Sequence, residues 1–323
     1  MNFISPRHLR SPHIQTVLPL FFSKKNSSYI REEFIFKDGD FTEIVWSSDP
    51  DKKEYKNICV LFHGLGGSIE SPYIQGMMDT LSKQGYLCVL MHFRSCGIKP
   101  NKALRMYHAG ETEDAREFIG MLKSRFKTAK LHGVGYSLGA NMLLKLLSSY
   151  GKESPLSCAV SVSAPLELET CTHYINKGLA KVYQRHLLKS LKTELLTKAR
   201  QVDLESSLNL SVPRIKKIKT IFEFDDIYTA PANGFKDAKE YYEKNSAKQF
   251  LKDIHVPTLL IHAKDDPFMP PSILPKQTEV SSFVQLLISE NGGHVGFIRG
   301  SIFKPSFWLE HRVKEFFSKR CHS

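Results

Sequence analysis

No run of apolar residues in this 323-residue chain approaches the ~20 that a membrane-spanning helix needs. The N-terminal stretch MNFISPRHLRSPHIQTVLPLFF is broken by prolines and has no apolar segment suited to a signal-peptide core. Cysteine is sparse. The six, at 59, 88, 96, 158, 171 and 321, show neither CxxC nor Cys/His ligand spacing. Cys59, Cys88 and Cys158 lie inside apolar runs, where a reduced cysteine is a small core residue. That suits a reducing compartment and a soluble, cytoplasmic protein. The thirteen histidines contain no HExxH or comparable cluster, so neither a metal nor a cofactor is expected. Repeats and low-complexity tracts are absent. Acidic residues are in short supply, 33 against 45 Lys+Arg, and the formal charge is +12. Such an excess favours anionic partners, and transient contact with an anionic membrane surface is one expectation. A specific nucleic-acid partner is not expected, because no recognition helix, zinc finger or aromatic–basic strand signature is present. No feature specifies an oligomeric state.

What is present is a regular alternation. YIREEFIF and FTEIVWS, joined by Lys37-Asp38-Gly39-Asp40, read as a hairpin near a sheet edge. NICVLFHG and YLCVLMHF are continuous apolar strands. Between them SPYIQGMMDTLSKQGY has helix periodicity, with Pro72 near its start and Gly85 past its end. GETEDAREFIGMLKSRF is a helix with acidic residues in its first turn, and the strand AKLHGVG precedes the helix LGANMLLKLLSSYG. LSCAVSVSAP, VPTLLIHAKDD and SSFVQLLISE supply further strands before a last helix near SFWLEHRVKEFFSKR. Strands apolar along their whole length, alternating with helices, predict a mostly parallel sheet covered on both faces.

The rhythm stops between Pro165 and about Val256, where the chain reads as helical and polar with no convincing strand until IFEF. The expected organisation is an N-terminal extension packed on the core (1–29), a first core segment (30–165), a mainly helical lid or insertion (166–255) and a last core segment (256–323). In NKGLAKVYQRHLLKSLKTELLTKAR, apolar positions 179, 183, 187, 191 and 195 alternate with cations. One apolar stripe between cations fits a helix lying on anionic lipid and equally a lid packed on its own core, and the packed lid is the expected arrangement.

Gly135-Tyr136-Ser137-Leu138-Gly139 is a G-x-S-x-G stretch at a strand-to-helix junction. A nucleophile there must stand proud of the sheet on an abrupt turn, and residues two before and two after come too close for a Cβ. A serine hydroxyl also needs a base to take its proton and a group to orient that base. Asp265 and Asp266, in IHAKDDPFMP, end one later strand, and His294, on the loop ENGGHVGFI, follows the last. Asp266 is preferred as the acid because Pro267 and Pro270 stiffen the segment beyond it; Asp265 is the alternative, or holds the turn. The N–H of Leu138 and that of Leu65, in the glycine-rich FHGLGGS, are the natural donors to an oxyanion. FHGLGGS lacks the Lys-Ser/Thr of a phosphate loop.

These motifs resemble the YheT-type branch of the α/β-hydrolase superfamily over nearly the whole chain. SPHIQTVLP (Ser11 to Pro19), SPYIQGM, MHFRSCG (Met91 to Gly97), RMYHAGETED (Arg105 to Asp114), FDDIYTAPANGF (Phe224 to Phe235) and HAKDDPFMP carry the likeness. The resemblance implies an α/β-hydrolase fold, with nucleophile Ser137, acid Asp266 and base His294. It also implies esterase, phospholipase or acyltransferase activity on small-molecule or lipid esters. The chain departs from the animal lipid enzymes of that group in lacking their N-terminal membrane anchor, which argues against a bilayer-embedded role. The leading expectation is a carboxylic ester hydrolase acting on hydrophobic acyl chains through an acyl-enzyme. The alternatives are a lipid-directed phospholipase or acyltransferase and a non-catalytic binding protein of the same fold. Arg94, Tyr107, His108 and Glu111 are candidates for substrate binding or for structural pairing, Arg94 with a carboxylate such as Glu111. Asp225 and Asp226 are expected to anchor the lid.

Overall fold

The apolar runs of the sequence form one eight-stranded sheet in the computed structural model, which describes residues 3–22 and 29–320. Its strands are β1 (Ile30–Ile35), β2 (Phe41–Trp46), β3 (Asn57–Phe62), β4 (Leu87–Met91), β5 (Lys130–Tyr136), β6 (Leu156–Val162), β7 (Thr258–Ala263) and β8 (Val284–Ser289). Their spatial order is β1-β2-β4-β3-β5-β6-β7-β8. β1 and β2 form the antiparallel hairpin, with Gly39 at φ 79° in its turn, and β2 also runs antiparallel to β4. From β4 to β8 every pairing is parallel.

Two-residue alternation splits the sheet between two cores. Ile58, Val60 and Phe62 of β3 face one side, with α3 (Thr112–Arg125) and α4 (Leu138–Tyr150). Cys59 and Leu61 face the other, with α2 (Pro72–Ser82) and the C-terminal helix. Both faces are therefore dry, and strands buried on both sides must be apolar throughout. Before the sheet, α1 (Pro12–Val17) and a 3₁₀ turn (Leu18–Phe22) lie on the surface.

Between β6 and β7 the chain is helical: α5 (Leu168–Ile175), α6 (Ala180–Lys198), α7 (Leu204–Leu208), α8 (Val212–Lys217), α9 (Ile221–Phe224), a π-helical turn (Asp225–Thr229), α10 (Ala230–Ala232) and α11 (Ala238–Asn245). These helices form the cap. IFEF, singled out as the first strand-like run there, is α9, started by the Thr220 side chain accepting the Glu223 N–H. The cap is tied down by long-range bonds. Lys198 Nζ donates to Asn101 O (2.8 Å) and Ala103 O (2.6 Å), and Tyr228 Oη donates to Leu104 O (2.8 Å). Asn141 Nδ2 on α4 donates to Asn245 O (2.8 Å). Asp225 and Asp226 also brace the cap internally: Asp225 accepts from Tyr242 Oη (2.7 Å) and Asp226 from Ala238 N (3.0 Å).

A short antiparallel pair, β9 (Ile298–Gly300) and β10 (Pro305–Phe307), precedes α12 (Trp308–Arg320) and had no counterpart in the sequence pattern. Cys59, Cys88, Cys96 and Cys171 are free; Cys158 is disulfide-bonded, contrary to the expectation of a reduced core residue. Cys321 and residues 23–28 of the N-terminal extension lie outside the described residues. Among the described residues no helix is long and apolar enough to cross a membrane.

Candidate active site

Ser137 is the single residue between β5 and α4, and its backbone sits at φ 50°, ψ −117°. A positive φ in a residue with a side chain is strained and persists only where neighbours enforce it. Here the Ser137 N–H donates to Val162 O (2.8 Å) and the Gly139 N–H to His63 O (3.1 Å). A Cβ on Gly135 would stand 2.6 Å from Gly139 O, and one on Gly139 2.5 Å from His63 O. Both glycines are thus dictated by close backbone approach.

The Ser137 hydroxyl donates to His294 Nε2 (3.0 Å), and His294 Nδ1 donates to Asp266 Oδ2 (2.8 Å). Asp266 is almost fully buried, and its other oxygen accepts the Phe268 N–H (2.8 Å). Phe268 lies flat on the imidazole, with centroids 4.1 Å apart and planes 9° apart. Asp265 points elsewhere. It accepts the Gly293 N–H (3.0 Å) and Asn291 Nδ2 (3.2 Å), so it fastens the histidine loop. Burial, with Asp266 adding to it, raises the Asp265 carboxyl above its ordinary range.

The loop after β3 is pinned so that one amide is left over. Gly64 N–H donates to Tyr73 Oη (3.0 Å), Gly66 N–H to Tyr107 Oη (2.9 Å) and Gly67 N–H to Gly64 O (3.0 Å). Among the described residues the amides of Leu65 and Leu138 make no hydrogen bond, and both residues line the cavity that holds Ser137 and His294. Two unspent N–H groups beside a hydroxyl–imidazole–carboxylate relay can hold the charge that develops on a carbonyl oxygen under attack.

The other sequence candidates divide. Tyr107 and His108 line the cavity. Tyr107 holds the Gly66 amide, and His108 Nδ1 accepts the Gly110 N–H (3.2 Å). Burial, helped by Lys145 and Arg105, pushes His108 down to about 3, so its ring is neutral. Arg94 and Glu111 do not line the cavity. Arg94 is buried on the Phe36 ring and pairs with Asp114 (2.6 Å), Asp40 (2.8 Å) and Asp38 (2.9 Å). Glu111, expected as its partner, caps α3 and pairs with Arg105 (2.6 Å). The reason is reach: Asp114, one turn into α3, meets the guanidinium with both oxygens.

Sequence reasoning missed the supports. His63 follows β3; its Nδ1 donates to Gly64 O (2.7 Å) and its Nε2 accepts the Phe93 N–H (3.1 Å), which fixes the oxyanion-side loop. In SPHIQTVLP, Thr16 Oγ1 accepts the His294 N–H (2.9 Å) and donates to Pro12 O (2.7 Å). Gln15, fully buried, donates to Leu9 O (2.9 Å), Ser5 Oγ (3.1 Å) and Ile298 O (3.1 Å) and accepts the Ile298 N–H (2.6 Å). The histidine loop is built tightly against this segment: a Cβ on Gly293 would meet Pro12 O at 2.6 Å, and one on Gly296 would collide with Gln15 O. The one available signal was a polar Gln-Thr pair inside an otherwise apolar helical turn.

The cavity has a volume of about 360 Å³ and runs from Ser137 beneath the cap. Its walls are chiefly apolar, with Leu187 and Leu191 of α6, Phe224, Tyr228 and Met106 among them. Among the described residues no cluster of three His, Cys, Asp or Glu side chains is placed to hold a metal ion.

A fold of this order with a strained serine at the sheet's central edge defines a class, and comparison with known proteins assigns it. The alpha/beta hydrolase fold family matches residues 58–301. The esterase Pf2001 of Pyrococcus furiosus superposes with a TM-score of 0.58 at 17% identity, covering 99% of each chain, a likeness of fold. YheT of Escherichia coli (strain K12) is 42% identical over 316 residues, 97% of this chain and 92% of its own length. The monoacylglycerol lipase of Saccharomyces cerevisiae (strain ATCC 204508 / S288c) is 27% identical over 76% of this chain and 55% of its own. The chain belongs to the YheT-type branch of the α/β-hydrolase family.

Proposed function

We propose that this chain, a serine-type α/β-hydrolase acting on carboxylic esters, takes esters with hydrophobic acyl chains and works through Ser137, His294 and Asp266. The observation that carries the reading is the unbroken relay from Ser137 Oγ to His294 Nε2, and from His294 Nδ1 to Asp266 Oδ2, opening into an apolar cavity. Ser137 Oγ attacks the ester carbonyl carbon as its proton passes to His294 Nε2. Asp266 fixes the imidazole tautomer and stabilises the imidazolium, while the Leu65 and Leu138 amides take the oxyanion. Collapse breaks the ester C–O bond, and the proton on His294 goes to the departing alkoxide. Water, deprotonated by His294, then attacks the acyl carbon; collapse breaks the acyl–Oγ bond, His294 returns its proton to Ser137 Oγ, and the carboxylic acid leaves.

The substrate class follows from the walls. Each methylene entering an apolar cavity contributes about 0.8 kcal/mol, so kcat/KM should climb roughly three- to fourfold per CH₂ until the space is full. A series of p-nitrophenyl esters measures this; a flat series would argue against acyl recognition. Labelling by a fluorophosphonate probe, present in the native chain and lost in Ser137→Ala, tests the nucleophile. An unlabelled native protein would leave a binding module of the same fold. The free thiols at Cys59, Cys88, Cys96 and Cys171 favour the cytoplasm, the disulfide at Cys158 opposes it, and cell fractionation decides.

A further inference from the structure

Two segments far apart in sequence, residues 1–31 and 170–193, hold ten Lys and Arg residues and no Asp or Glu, although the chain has 33 acidic residues. The structure brings their described parts together. His13 of α1 bonds to Tyr183 of α6 (2.9 Å) and stacks on it, and Thr16, Leu20, Tyr183 and His186 line the same cavity. Next to these lining residues along the chain, large apolar side chains are turned outward: Leu20 is 60% exposed, Phe21 77%, Leu179 71% and Val182 62%. Of the apolar stripe along α6, Tyr183 and Leu187 line the cavity and Leu191 and Leu195 are buried, whereas Leu179 at its start is turned outward. Lys177, Lys181, Arg185 and Lys189 are exposed among these side chains, and none makes an ion pair among the described residues.

A helix and a turn that present apolar side chains flanked by unpaired cations have the pattern of an element lying in an anionic interface. Apolar groups left together at a cavity mouth also mark a contact site. We propose that this face, formed by the 3₁₀ turn Leu18–Phe22 and the first turns of α6, docks on an anionic lipid surface and sets the cavity mouth against it. The inference rests on the ester-hydrolase reading for its purpose, the delivery of hydrophobic esters from the lipid phase. Its geometry and charge stand apart from the chemistry.

Co-flotation of the full chain with phosphatidylglycerol vesicles, and with phosphatidylcholine vesicles alone, tests it. Binding to phosphatidylglycerol should be at least tenfold tighter at low salt and weaken as salt rises. Lys181→Glu with Arg185→Glu should abolish that preference, and Phe21→Ser with Val182→Ser should lower binding about tenfold. None of these four residues lines the cavity, so hydrolysis of a soluble short-chain ester should be unchanged, while hydrolysis of an ester carried in phosphatidylglycerol vesicles falls. Absence of vesicle binding at low salt, or binding equal in all variants, overturns the proposal. So does lipid-free self-association removed by the same substitutions, which would assign the face to a second copy of the chain. Vesicle binding by a native chain inactive on every ester would overturn the hydrolase reading and leave the docking face standing.

Discussion

At the scale of single residues, two adjacent aspartates with the same side chain hold different positions because of one peptide step. Asp266 is buried and bonded to the imidazole, whereas Asp265 turns to the amides and the asparagine of the histidine loop. Asp266→Asn keeps the shape, but its amide can stabilise the wrong imidazole tautomer, and kcat should fall by about 10⁴. Asp265→Asn should keep kcat within about tenfold and lower the thermal midpoint instead, because it weakens charge-assisted bonds to the loop. A kinetic comparison of the two variants separates the roles, and equal losses of kcat would refute the assignment. Arg94 shows the same principle outside the cavity. Burial opposes its charge, but Asp114, Asp38 and Asp40 hold it above its ordinary value, which makes it an anchor between the β1–β2 turn and α3.

At the scale of elements, α1 acts on a loop 278 residues away through Thr16 and Gln15. Replacing Gln15 by Ala leaves the Ile298 N–H and C=O without their partner, at a cost of about 1–3 kcal/mol for each buried group left unmatched. A histidine displaced by a fraction of an ångström slows proton transfer more than it weakens substrate binding. Thr16→Ala should therefore lower kcat about 10- to 100-fold with little change in KM, while Thr16→Ser, which keeps the hydroxyl, restores it. Steady-state kinetics with a short-chain ester give the answer, and a loss confined to KM would mean that the segment contacts substrate instead. This element was visible in the sequence only as a motif; its task was not, because the partner amide belongs to another loop.

At the scale of the whole molecule, buried titrating groups set the response to pH. Burial pushes His63 down to about 4, and His92 and His108 to about 3, from an ordinary 6.5. The unfolded chain takes up these protons near 6.5 and the folded one only far lower, so their stabilisation is complete above 6.5 and is lost as pH falls towards 4. Glu194 and Asp225 in the cap work in the opposite direction. Burial raises them to about 7 and about 6, so the folded state keeps protons that the unfolded chain releases, and stability declines as pH rises through that window. One Glu194 oxygen is buried with no hydrogen-bond partner. His262 is lowered by burial as well, and Glu111 and Asp265 are raised with Glu194 and Asp225; the histidine displacements, widest at His92 and His108, should prevail and lower the thermal midpoint between pH 6.5 and 4. Glu194→Gln should raise the midpoint at pH 8 and steepen the acid limb. Thermal denaturation across pH checks both, and a midpoint independent of pH from 7 to 4.5 would rule the scheme out.

The strand–helix alternation, the hairpin and the two glycines around Ser137 were legible in the chain itself, because they follow from local requirements: periodicity of burial, turn geometry and room for a Cβ. The order of Ser137, Asp266 and His294 along the chain was legible too, since each stands at a strand end. The sequence could not choose the partner of Arg94, show IFEF as a helix, find β9 and β10, or reveal that Thr16 and Gln15 brace the histidine loop. Those outcomes were decided when the sheet closed and the cap settled on it. A hydrogen bond between distant segments depends on where the fold places two backbones to within an ångström, and no local pattern of residue types encodes that distance.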